Sequence, residues 1–177
     1  RRQRQMCIRD RDGRGGRRTM TLVWVLLAVA MTVVAAWAYF TAQRLDRLHM
    51  RLDRSREALQ ASLDRRAAVV AAVVPQLRER ARALEEVRLT ARDIGTRLDL
   101  ERAFAAELSS QLQELSAPEV RRELQDAQTR VFLALRFYNE AVSDTRDLRL
   151  RPLVRLLRLG GTAALPEYAA LEELELK

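Results

Sequence analysis

At 177 residues the chain has room for one domain with appendages. Its 6 Gly and 4 Pro, set against 48% hydrophobic and 32% charged residues, match the composition of long amphipathic helices. Cys7 is the single cysteine and His49 the single histidine. An internal disulfide is therefore ruled out, and a zinc site, which draws several Cys or His ligands, is not expected. The net charge of +8 is unevenly placed. Residues 1–18 carry eight Arg and two Asp, which leaves +2 for residues 19–177.

Residues 1–19 form a basic tail. Its run Arg4–Arg11 (RQMCIRDR) resembles translated sequencing-adapter read-through, and Met20, directly before the apolar run, would make a natural start. The tail is set aside as foreign before fold reasoning. Without it the case for nucleic-acid binding falls away, because the remaining arginines are interleaved with acids.

From Thr19 to Gln43 there is no charged residue, and Thr21–Phe40 reads TLVWVLLAVAMTVVAAWAYF. Twenty helical residues at about 1.5 Å each span roughly 30 Å, the hydrocarbon thickness of a bilayer. Residues 20–43 are therefore expected to be a single transmembrane helix. Leu22, Leu26, Leu27 and Val33 form its apolar body, Trp24 lies near one end, and Trp37, Tyr39 and Phe40 lie near the other. A buried core helix seldom runs this long without a polar face. A cleaved signal peptide is the sharper rival, since Ala36-Trp37-Ala38 is an A-x-A pattern, but the run exceeds the usual apolar region of such signals. By the positive-inside bias the arginines that follow, from Arg44 to Arg66, lead to the expectation that the remainder is cytoplasmic; a genuine tail, with its eight arginines, would compete and could reverse the topology.

Residues 44–147 are expected to form an antiparallel bundle of three to four long helices, making the chain all-α. Leu45, Leu48, Leu52, Leu59, Leu63, Val70, Val73 or Val74, and Leu77 make one stripe at helical spacing. The membrane helix is thus expected to continue into the first soluble helix, which Pro75 ends or kinks. A second helix is expected from Gln76 to Leu98, with Leu77, Ala81, Leu84, Val87 or Arg88, Ala91 and Ile94 on its stripe and Gly95 as a possible end. A third covers Leu100–Leu115. Ser116-Ala117-Pro118-Glu119 fits a capping box that opens a fourth, with Val120, Leu124, Ala127, Val131, Leu135, Tyr138 and Val142 facing inward as far as about Asp147. None of these helices is stable alone in water, so they are expected to pack on one another. Residues 148–177 form a C-terminal closing segment. Its leucines crowd between Arg149, Arg151, Arg155 and Arg158, and it either packs on the bundle end or lies on an anionic membrane surface. If the chain turns back at Pro75, this segment returns close to the membrane.

No catalytic constellation is found. His49 has no partner histidine, the carboxylates lie beside arginines along helix faces, and no glycine-rich phosphate loop precedes a strand. No enzyme, cofactor or metal is expected.

The run Leu135-Arg136-Phe137-Tyr138-Asn139-Glu140-Ala141-Val142 resembles the signature of the LemA family, an R-F-Y-N-x-A-V segment on a late helix. Leu63-Asp64-Arg65-Arg66 is similar to the family's Q-L-x-R-R, and Glu86-Val87 with Ala91-Arg92 falls where an E-V-x-x-A-R pattern is common. The resemblance covers most of residues 20–168. It departs at Ala67–Ala72, where an apolar L-I-P-N-L-V type segment is usual, and around Thr145-Arg146, where a second asparagine is usual. Both departures suggest a divergent branch. The arginine bias, with Lys177 the only lysine, resembles coding from a GC-rich bacterium such as an actinobacterium. The resemblance implies a single-pass bacterial inner-membrane protein, with Arg65, Arg66, Arg92, Arg136, Phe137, Tyr138, Asn139 and Val142 as signature positions. Tyr138 is expected to pack with its hydroxyl satisfied, and Asn139 to cap or bridge neighbouring helices. The expected role is a scaffold or adaptor whose partners are the bilayer and a protein or further copies of itself, with no nucleic acid. The alternative is an envelope-stress sensor that reads anionic lipid through Arg149–Arg158.

Overall fold

A computed structural model describes residues 12–112, 118–157, 159–161 and 164–171. Among these the chain is all-helical, with no strand: α1 (Asp12–Val73), a 3₁₀ turn (Pro75–Leu77), α2 (Arg78–Glu85), α3 (Gly95–Leu112), α4 (Pro118–Arg149) and α5 (Pro152–Leu156). Two compact units divide the chain, residues 1–43 and residues 44–177.

In the first unit the apolar run is long enough to cross a membrane, and none of it is buried. Leu22, Trp24, Leu26, Leu27, Val33, Trp37, Tyr39 and Phe40 are all exposed, from 38% at Trp37 to 67% at Trp24 and Leu26. Its polar groups turn inward on the helix. Thr32 and Thr41 hydroxyls donate to the carbonyls of Ala28 and Trp37, each at 2.8 Å, and Gln43 Nε2 donates to Tyr39 Oη at 2.7 Å.

In the second unit the stripe becomes a core. Leu45, Leu52, Leu59, Leu63, Ala67, Val70 and Val74 of the first chain stretch are buried, Val74 rather than Val73 being the residue that faces in. Helix α1 stops at Val73 because Pro75 disfavours helical geometry in the residue before it, and Val74 takes φ −121°, ψ 88°. The chain then reverses. The carbonyl of Leu84, at the end of α2, is held by the same Arg97 guanidinium that pairs with Asp64 of α1, so α2 runs back along α1.

Helix α3 packs Phe104 and Leu108 into one apolar cluster with Ala67, Val70, Val74, Leu77, Ala81, Leu84 and Leu124. Partners on α4 descend as those on α1 ascend. Leu148 meets Leu45, Asp144 meets Arg51 at 2.7 Å, and Gln128 meets Arg66 at 2.8 Å. Between these points Val131, Leu135, Tyr138, Ala141 and Val142 share a second cluster with Leu52, Leu59 and Leu63.

The continuous second helix expected over Gln76–Leu98 is broken. Helix α2 ends at Glu85, residues 86–94 are irregular, and Ala91, expected on the stripe, is exposed. A polar turn produces the break. Thr90 Oγ1 accepts from the Asp93 amide at 3.1 Å, while the Asp93 carboxylate accepts from the Thr96 amide at 2.9 Å and the Thr96 hydroxyl at 2.7 Å. Those bonds hold the Asp93 carboxyl below its usual pKa, the Thr96 amide contributing most. Asp93 is thus the N-terminal cap of α3, and Gly95 begins this helix instead of ending the one before. At α4, Pro118 opens the helix and Glu119 lies in its first turn; Ser116 and Ala117 of the expected capping box lie outside the described residues.

Candidate functional site

Two polar constellations stand out in the second unit. The first is a buried ion network at the centre of the helices. Glu101 and Arg97 are both fully buried and Arg66 is 3% exposed. Glu101 accepts from Arg97 Nε at 2.9 Å and Nη2 at 2.8 Å, and also from Arg66 Nη2. Arg66 Nη1 donates to Gln128 Oε1 on α4. Arg97 Nη2 reaches Asp64 at 3.0 Å, and its Nη1 donates to the carbonyls of Leu84 and Val87. These carbonyls lie at and beyond the end of α2, and that of Leu84 also accepts from the Val87 amide at 3.1 Å. Asp64 also accepts from Gln60 Nε2, and Gln60 Oε1 accepts from the Leu89 amide at 2.7 Å. The network therefore joins α1, the end of α2, the following loop, α3 and α4. A buried carboxylate enclosed by two guanidiniums ties together the elements that carry them.

The second constellation lies on α4, with one member from α3. There the non-helical segment 164–171 is held through its backbone. Tyr138 Oη donates to the carbonyl of Glu167 at 3.0 Å. Asn139 brackets Ala169, its Nδ2 donating to the carbonyl at 2.7 Å and its Oδ1 accepting from the amide at 2.9 Å. Arg146 donates to the Pro166 carbonyl at 2.9 Å, Arg149 to that of Ala164 at 2.8 Å, and Arg102 of α3 to that of Ala170 at 3.0 Å. The Arg146 guanidinium also sits 5.4 Å above the Tyr168 ring. Ala169 is buried in the core and Leu171 packs against it. Tyr138 is 1% exposed. Desolvation pushes its phenol up to about 12, Arg56 opposing and Glu167 adding to the shift, so the hydroxyl keeps its proton and remains a donor.

The signature positions fall into separate groups. Arg66 belongs to the ion network, Tyr138 and Asn139 to the clamp on the C-terminal segment, and Val142 to the core. Arg65, Arg92, Arg136 and Phe137 are exposed. Asn139 was expected to cap or bridge helices; it grips the C-terminal segment instead. Arg97 and Glu101 are absent from the sequence expectations, although they carry the most buried charge. The available signal was their position on the stripe Ile94, Leu98, Phe104, Leu108, which is core spacing rather than surface spacing. Of the two arrangements expected of the closing segment, packing on the other helices is seen at one residue of α5. Val154 is buried with Leu45 and Leu148, while Leu150, Leu153, Leu156 and Leu157 are exposed beside Arg151 and Arg155. Arg158 lies outside the described residues.

No protein-family model, curated protein or solved structure matches the chain.

Proposed function

We propose that the chain is a membrane-anchored helical scaffold or adaptor of the LemA type, without catalytic activity of its own. In this reading residues 20–43 cross the bacterial inner membrane once. The four helical stretches of residues 44–149 form an antiparallel bundle in the cytoplasm, and the bundle surface holds a protein partner or further copies of the chain. The observation that carries the reading is the change along α1 itself. Every large apolar side chain from Met20 to Phe40 is exposed, whereas the stripe from Leu45 onward is buried. Burying such side chains is worth about 1.5–3 kcal/mol each, and here only lipid or another chain can supply that burial. The signature motifs support the LemA type, and the exposed pair Leu133 and Phe137, one turn apart on α4, offers a surface for a partner.

Alkaline extraction of membranes tests the anchor. The chain is expected to stay with the bilayer, and a variant carrying Leu27→Arg and Val33→Arg to be released; retention of that variant would refute the crossing. Crosslinking and pull-down from intact membranes tests the scaffold. Recovery of the chain alone, with neither a second protein nor a second copy, would refute it.

A specific observation favours a second reading, in which the chain senses envelope stress through anionic lipid. Val154 packs on Leu45, which follows Phe40 by five residues in the chain, and the leucines around it are exposed beside Arg151 and Arg155. Residues 44–177 should then bind anionic vesicles and release them as salt rises. Indifference to anionic lipid would refute this reading.

A further inference from the structure

Segment 164–171 is bound as a peptide ligand is bound. Six hydrogen bonds fix it, and all six go to its backbone: five to carbonyls and one from the Ala169 amide. The donors and the single acceptor are side chains of α3 and α4. Of the segment's own large side chains, Leu165 and Tyr168 are exposed at 37% and 55%, Tyr168 lying under the Arg146 guanidinium, and Leu171 packs against the core. Ala169 is the buried one. Its methyl enters the core at 3% exposure, between the two bonds from Asn139, so a small residue is required there. Recognition by backbone with one size-limited position is the general form of extended-peptide binding.

The connection to α5 passes through Gly160 and Gly161. A Cβ on Gly160 would lie 3.1 Å from Arg149 Nε, and Gly161 has φ +64°, a conformation that L side chains rarely adopt. Among the described residues of the segment, Ala169 and Leu171 are the ones that join the core cluster.

We propose that Arg102, Tyr138, Asn139 and Arg146 form a peptide-binding site that accepts the 164–171 segment of a second copy of this chain in exchange for its own. A second copy offers the same backbone, the same alanine and the same six bonds. Exchanged and unexchanged forms thus differ only in the glycine turn and the cost of association. Anchoring in one bilayer keeps copies in the same plane and orientation, which raises their effective concentration. The inference rests on the scaffold reading and names the partner within it.

Two full-length variants separate donor from acceptor. Ala169→Trp keeps an intact site but carries a segment too large to seat. Asn139→Leu keeps a seatable segment but removes the two bonds that bracket Ala169. Differently tagged copies are purified alone, then mixed in detergent and reconstituted together. The mixture should co-purify several-fold above either variant alone, and hydrogen exchange at residues 164–171 of the Asn139→Leu copy should slow on mixing. A mixture no better than the single-variant controls, with both variants retaining wild-type helicity, overturns the proposal. Protection of 164–171 in Asn139→Leu alone overturns it equally, since the site would then not be what holds the segment. If the Ala169→Trp chain fails to fold, a chain ending at Gly161 replaces it as an acceptor with an empty site. Failure of the mixture while membrane pull-downs still recover another protein removes this inference and leaves the scaffold reading standing.

Discussion

Replacing Glu101 by Gln keeps the shape of the side chain and deletes the charge at the centre of the ion network. In the native chain the carboxylate serves two guanidiniums, Arg66 at 3% exposure and Arg97 at none. After the substitution Arg66 loses its carboxylate partner, and Arg97 keeps only Asp64, whose side chain is 35% exposed and also accepts from Gln60. Removing one member of a buried pair typically costs about 3–5 kcal/mol, because the survivor stays desolvated and uncompensated. Against a total stability of about 5–15 kcal/mol, that is roughly a fifth or more of what holds a domain together. With a urea slope of about 2 kcal/mol per M, the unfolding midpoint should fall by roughly 2 M. The assay is urea titration of the full chain in micelles, followed by far-ultraviolet circular dichroism. Arg65→Gln, one residue from Arg66 but exposed, serves as the control and should move stability by no more than about 0.5 kcal/mol. Equal midpoints for Glu101→Gln and the control would refute the claim that the network is buried and coupled. The same physics makes a second demand. Replacing Arg66, Arg97 and Glu101 together by apolar residues of similar volume should recover much of the loss.

Tyr138→Phe should cost about 1 kcal/mol, the net worth of one hydrogen bond, and speed amide exchange at residues 164–171 while leaving the helices protected; unchanged exchange there would count against the clamp. The raised Tyr138 pKa sets a pH window. The contact is fully present below the ordinary tyrosine value near 10 and is lost as pH rises through about 12, so the segment should detach over that interval, and Tyr138→Phe should abolish this step. Asp93→Ala should lower the urea midpoint through loss of the α3 cap. Because its carboxyl is held below its usual value, that stabilisation is present above the unfolded pKa and disappears as pH falls through the folded one, and a difference from wild type that persists in strong acid would contradict it. Leu63→Ala, at a fully buried position shared by α1 and α4, should cost about 2–5 kcal/mol in the same urea assay.

What the sequence made legible is what repeats. The stripe from Leu45 to Val74 and that from Leu124 to Val142 are read correctly because each places an apolar side chain on one face every three or four residues. Pro75 is legible as a stop because its effect is local. The break at residues 86–94 is not, since Ala91 and Ile94 continue the apolar spacing of α2 while the Thr90, Asp93 and Thr96 turn ends it through polar bonds. Arg97 and Glu101 are four residues apart and look like a solvated helical pair; their burial depends on Arg66 arriving from a helix thirty-odd residues earlier. The clamp is the least legible part. Its ligand is recognised through carbonyls, which every residue has, so segment 164–171 carries no pattern beyond a small residue at Ala169.

The two polar constellations answer a difficulty that apolar stripes leave open. A helix with leucines every three or four residues can slide along its neighbour by one turn and still bury its stripe. The ion network forbids that slide, because Gln128 on α4, Arg66 on α1 and Glu101 on α3 must meet at one level, and a shift of one turn would strand two buried cations. Farther along α4, Asn139 needs both polar atoms of a single residue, Ala169, and so fixes the C-terminal segment to one register as well. Register is thus set at two points of the same helix by groups whose misplacement is costly. Beside them, Phe137 is left at 57% exposure and Arg136 in water, with no core contact to satisfy. A helix held so firmly along its inner face presents its outer side chains at fixed positions, which is the property a scaffold surface requires.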